Sequence, residues 1–163
     1  MLKIDTTTAG REFVRRFQNV LPELQLTQGI HRRIELLTDR FAEEHPNVRA
    51  CLVSREVDDS YVDAGAVPHE AASRPRLQAL AIDGDRLYEF LAFAHGFRAE
   101  ATPLDALVNV QELWLEPEPG KPFVYRATLS YDFQAATVIL ASTGETQDAA
   151  TAFVERLKYL RGW

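Results

Sequence analysis

Leu77 to Ala94 reads LQALAIDGDRLYEFLAFA, and the architecture turns on how its second half is taken. The first half is a short apolar run, which predicts a strand over Arg76–Ile82. Asp83 then stands where a helix N-cap would, with a carboxylate able to accept from first-turn amides, and Leu87, Phe90, Leu91 and Ala94 recur at helical spacing. The spacing predicts a helix over Asp85–His95, closed by Gly96. Tyr88 and Phe93 make it apolar nearly all round and hence deeply buried.

Upstream, Phe13, Val14, Phe17, Val20 and Leu21 recur at three- and four-residue intervals, predicting a helix over Thr8–Leu21 that Pro22 ends. A second helix is expected from Thr27 to Glu44, with Ile30, Ile34, Leu37 and Phe41 on its inner stripe and a stop near Pro46. Val48–Val57 reads as a buried strand, Tyr61–Val67 as a hairpin return strand, and Pro68–Pro75 as a loop between two prolines. Downstream, Leu107–Leu115, Pro122–Tyr131 and Ala135–Ser142 predict an antiparallel meander. In its middle strand Phe123, Tyr125, Ala127, Leu129 and Tyr131 share the core face. Glu116–Lys121, EPEPGK, is the connecting turn. Ser142 and Glu145 match a capping box that opens a last helix, with Ala149, Ala150, Phe153, Val154, Leu157 and Leu160 facing inward.

The expected fold is therefore α+β, in the order ααβββαβββα: an N-terminal helical hairpin followed by a mainly antiparallel sheet with helices packed on one face. Residues 1–163 form a single domain in which 1–45 is the hairpin, packed on or extending from a body over 46–163. A strand leads into a helix twice, at Leu77–Ala94 and again from Ala136, which hints at two related halves. With the short strand at Arg76 set aside, the order from Thr27 onward also resembles that of roadblock and longin adaptor domains, over about four fifths of the chain; the similarity lies in element order alone.

Composition narrows the function class. The chain has 163 residues and a net charge of −6, but the charge is uneven: residues 41–120 carry 15 Asp and Glu against 6 Lys and Arg, a net of −9, while both flanks are slightly positive. A field of one sign attracts the opposite sign and repels polyanions. Arg11, Arg15, Arg16, Arg32, Arg33 and Arg40 make the first two helices the most basic region, but a pI near 5.2 disfavours nucleic acid. Those arginines can instead pair with the acidic middle, within one chain or across a homodimer. No apolar run approaches the length needed to span a bilayer, and an acidic face is repelled by anionic lipid, so no membrane partner is expected. A single cysteine and an N-terminus, MLKIDTTTAG, without an apolar signal core point to the cytoplasm.

No catalytic or metal-ligand spacing stands out. The glycines are scattered, with neither a dinucleotide fingerprint nor a phosphate loop, so no cofactor is expected. His69-Glu70 begins like a zinc-protease motif, but Ser73 stands at the second histidine position. Cys51 lies mid-strand, where a thiol is buried and inert. His95 fits the last turn of its predicted helix, where it complements the dipole. Two carboxylate clusters flank aromatics: Glu56, Asp58, Asp59 and Asp63 around Tyr61, and Glu112, Glu116 and Glu118 around Trp114. An aromatic ringed by carboxylates can anchor a contact while the charges steer a basic partner into place.

The sequence accordingly reads as a non-enzymatic acidic protein-binding module of the immunity-protein, secretion-chaperone or adaptor type. It would capture another protein's basic surface through Asp58, Asp59, Tyr61, Asp63, Trp114, Glu116 and Glu118. The alternatives are a small-ligand binder or enzyme, with a pocket around Tyr88, Phe93, His95 and Phe97, and a structural subunit docked through the last helix and Trp163.

Overall fold

The structure is a computed structural model that describes residues 7–58 and 74–163. Helix α1 spans Ala9–Val20 and starts at Thr8, whose hydroxyl accepts from the Arg11 amide at 3.1 Å. Phe13, Val14 and Phe17 form its buried face, and Pro22 diverts the chain into a 3-10 turn over Leu21–Leu24. Helix α2, Gln28–Glu44, returns alongside and buries Ile34, Thr38, Phe41 and Ala42. Leu37, expected on that stripe, is exposed. Thr38 takes the inner place, because its hydroxyl donates to the Ile34 carbonyl at 2.7 Å and is satisfied within its own helix. Gly10 lets the hairpin close: a β-carbon there would overlap the His45 carbonyl oxygen.

Among the described residues seven strands follow, in two antiparallel sheets. The first sheet runs β1 (Ala50–Ser54), β2 (Leu77–Asp83), β3 (Arg86–Phe93) and β4 (Gly96–Pro103) in spatial order β1-β2-β3-β4. The second runs β5 (Leu107–Leu115), β6 (Val124–Tyr131) and β7 (Thr137–Ala141), in order β5-β6-β7. Helix α3, Gly144–Arg161, closes the chain.

The segment expected as a helix over Asp85–His95 is instead β3 and the turn after it. Asp83 pairs with Arg86, leaving Gly84 and Asp85 as a two-residue hairpin loop, and Gly84 has φ +58° at the first loop position, where the twist of a tight hairpin favours a left-handed residue. All-round apolarity reflects burial on both faces of a sheet rather than inside a helix bundle. Phe90 packs toward the hairpin, Leu91 and Phe93 on the other side. Gly96 begins β4 instead of ending a helix, and His95 sits in the turn before it. The likeness to adaptor-domain order lapses with that helix, as does the idea of two matching halves. The expected strand at Tyr61–Val67 and most of the loop at Pro68–Pro75 lie outside the described residues.

β2 is buried along almost its whole length. Leu77, Ala79 and Ala81 meet Phe13, Phe17, Ile34 and Phe41 of the hairpin, while Leu80 and Ile82 meet Phe153, Val154 and Leu157 of α3 and Tyr125 and Leu129 of β6. The first sheet is thus a middle layer, with the helical hairpin on one face and α3 with the second sheet on the other. The N-cap of α3 is Thr143 rather than Ser142, and Thr146 closes the capping box that had been expected from Glu145. Ser142 is held from outside: its amide donates to Glu56 at 2.6 Å and its hydroxyl to the same carboxylate.

Candidate functional site

The second sheet shows why β5 and β6 form the candidate surface. β6 alternates strictly, with Tyr125, Ala127, Leu129 and Tyr131 buried against α3 and the first sheet. At the turn end of the β5–β6 hairpin this core runs out, because α3 starts beside it: the Gln147 side chain donates to the Phe123 carbonyl from the first turn. Trp114 lies 4.8 Å from the Tyr125 ring at a 48° tilt, leaning on the last core residue instead of entering the core. Trp114 and Phe123 on this face consequently remain half in solvent, each at 54% exposure, and Leu115, on the opposite face of the strand, is 46% exposed. Phe123, expected on the core face of β6, has the right parity but lies past the edge of the helix layer.

The carboxylates around them differ in what they do. Glu112 accepts from Lys158 Nζ at 2.6 Å and from the Tyr125 hydroxyl at 2.7 Å. The Lys158 hydrogen bond, with that of Tyr125, holds the Glu112 carboxyl below its ordinary range against the opposing effect of burial. Burial, followed by the Glu112 hydrogen bond, pushes the Tyr125 hydroxyl far up, so it stays a donor. Glu116 accepts from the Gly120 amide at 2.8 Å across the EPEPG turn, where Gly120 has φ +82°. Glu118 is fully solvated on the same turn.

The other predicted cluster is placed elsewhere. Asp59, Tyr61 and Asp63 lie outside the described residues. Asp58 is only 15% exposed and pairs with Arg126 at 3.3 Å. Arg126 follows Tyr125 on β6 and so points to the opposite face, which puts Asp58 on the far side of the sheet from Trp114. Glu56 is taken up by Ser142 and Thr146 at the start of α3. The two clusters therefore do not form one rim through their described members.

Two arginines of the hairpin find partners within it. Arg11 meets Asp39 at 3.2 Å and Arg16 meets Glu12 at 3.7 Å, so neither is drawn to the acidic middle. Arg15, Arg32 and Arg33 are exposed. Cys51, expected to be buried, is half-buried on β1, and burial pushes its thiol up.

A second concavity, of about 280 Å³, lies between α2 and the β3–β4 hairpin and is lined chiefly by Phe41, His45, Tyr88, Phe90 and Phe97. Tyr88 and Phe97 were expected in such a place, but Phe93 is buried on the opposite face and His95 is in the β3–β4 turn. His45 Nδ1 lies 2.7 Å from Asp83, and its ring stacks on Phe41 at 4.4 Å and Tyr88 at 4.7 Å, which pins the end of α2 to the sheet. The volume falls at the lower limit of small-molecule sites. Among the described residues no group of three or more His, Cys, Asp or Glu side chains could hold a metal ion, and no helix is long and apolar enough to cross a membrane.

No protein-family model matches the chain, and no curated protein matches it in sequence.

Trp114, Glu116 and Glu118, expected from the sequence as contacts, lie at one end of β5; Phe123 beside them and Leu115 on the opposite face were not among the expected contacts. The signal was present in LWLEPEPGKPF: apolar residues on both sides of a Pro- and Glu-rich turn, beyond the reach of any covering helix.

Proposed function

We propose that the protein is a binding module that captures a basic surface of another protein at the turn end of the β5–β6 hairpin. The observation that carries this reading is the half-exposure of Trp114 and Phe123 on one face of the strand ends, with Leu115 exposed on the other, beside Glu116 and Glu118. Clustered apolar residues with a polar rim mark contact sites on soluble proteins. The carboxylates steer a cationic partner during encounter, and the aromatic pair is then desolvated, which supplies the slow off-rate. An immunity, chaperone or adaptor role and a cytoplasmic setting are all compatible with such a surface.

The test is capture from a lysate of the native host by immobilised protein. A basic polypeptide is expected to be retained at low salt and released at high salt. Trp114→Ala is expected to cost about 2 kcal/mol of affinity for it, the scale of an interface hot spot. Glu116→Lys with Glu118→Lys is expected to slow its association. Equal retention by the wild type and both variants would show that the surface plays no part.

A further inference from the structure

The way β5 ends its sheet points to how a partner would bind, an inference that rests on the reading just given. A sheet edge displays unpaired amides and carbonyls that template another strand, and folded proteins shorten, charge, kink or cover such edges. Three of the four edges here are guarded. β1 has five residues and packs against α3. β7 also has five, and its Val138 carbonyl accepts from the buried Gln78 side chain at 3.1 Å. β4 begins with glycine, ends with proline and carries Arg98 and Glu100.

β5 is the least protected: its bulge, at Val108, and the Arg161 side chain that donates to the Leu107 carbonyl both lie at its first end. At nine residues it is the longest strand among those described, and it contains no lysine, proline or glycine. β6 pairs with one side of it, and among the described residues no strand pairs with the other. Val108, Trp114 and Leu115 along it are exposed. Its carboxylates outnumber its cations: Glu112 on the strand, engaged by Lys158, then Glu116 and Glu118 with Lys121 on the turn.

We infer that β5 receives an extended segment of a basic partner protein as a fourth strand of the second sheet. Main-chain hydrogen bonds to the free edge supply affinity, and alternate side chains supply selectivity. On the α3 side, apolar groups of the incoming strand meet Trp114. On the opposite face they meet Leu113 and Leu115, and a lysine or arginine lies near Glu116 and Glu118. Charge chooses between occupants: a second copy carries the same −6 and would set carboxylates against carboxylates, whereas a basic segment is attracted.

The probe is the capped octapeptide (Lys-Val)4, followed by amide NMR and hydrogen exchange on the full chain. It is compared with (Glu-Val)4 and with a (Lys-Val)4 N-methylated at two adjacent central residues, which removes a donor from each peptide edge. The expected result is saturable shifts along β5, slowed exchange of the β5 amides that face away from β6, at least a tenfold loss of affinity on N-methylation, and no binding of (Glu-Val)4. Binding at β5 that is indifferent to N-methylation would overturn strand addition and leave the side-chain surface standing. If no peptide shifts β5, or the acidic one does so equally, strand addition fails; Trp114→Ala in the lysate capture then judges the wider surface separately. Slowed β5 exchange without peptide, lost on dilution, would assign the edge to a second copy and likewise overturn the inference.

Discussion

Glu112 shows how one carboxylate serves both the fold and the candidate surface. It sits on the edge strand, yet its oxygens are engaged by Lys158 of α3 and by the hydroxyl of the fully buried Tyr125. It therefore ties β5 to the last helix just below Trp114. Its pKa is depressed in the folded state, so its stabilising contribution is complete above the ordinary carboxylate value and is lost as pH falls through the lower folded value. Lys158 and Glu112 are each about a third exposed, which screens the pair, and the contribution is expected to be about 1 kcal/mol. Urea unfolding of the wild type and of Glu112→Gln should therefore differ at neutral pH and converge in acid. A difference that persists below the carboxylate range would mean that packing, not charge, is what the substitution removes.

At the scale of elements, the periodic segments were legible and the one mixed segment was not. α1, α2, β6 and α3 form where their spacing predicts, because each has a single buried face and so a single clear period. Leu87 to Phe93 has two buried faces, and apolar residues on both sides of a strand mimic a helix that is apolar all round. Gly84-Asp85 was the deciding signal, since a Gly-Asp pair between apolar runs, with glycine at the first loop position, is a hairpin turn before Asp83 is an N-cap. Gly84 is open to solvent but held at φ +58°, so Gly84→Val is expected to cost about 1–3 kcal/mol from backbone strain alone. Gly84→Asn, which tolerates that region better, should recover much of it. Thermal denaturation of both variants checks this; equal losses would deny that φ is the cause. The candidate site was half legible for a related reason. Sequence shows that Trp114 is flanked by carboxylates, but only the position of α3 decides that Phe123 is left uncovered while Tyr125, two residues on, is fully buried.

At the scale of the molecule, β2 and β3 make the hairpin and the second sheet parts of one core. Phe17 is fully buried and touches Phe90 edge-on at 6.0 Å, while Leu91, the next residue on β3, packs on the opposite side against Val138 of β7. The sheet between them is too thin to keep its packing on one face if the other is lost. Both tryptophans lie away from the hairpin, Trp114 on β5 and Trp163 just after α3, so their fluorescence reports on the second sheet and the last helix. Truncating a buried phenylalanine to alanine costs about 3–5 kcal/mol. If the layers unfold together, Phe17→Ala shifts the tryptophan-detected urea transition by that amount and in step with the helical circular dichroism signal. A hairpin that melts on its own would leave the tryptophan transition in place and split the two signals. A cooperative result also bears on the binding surface, because β5 can present a fixed edge only while the layers behind it stay packed.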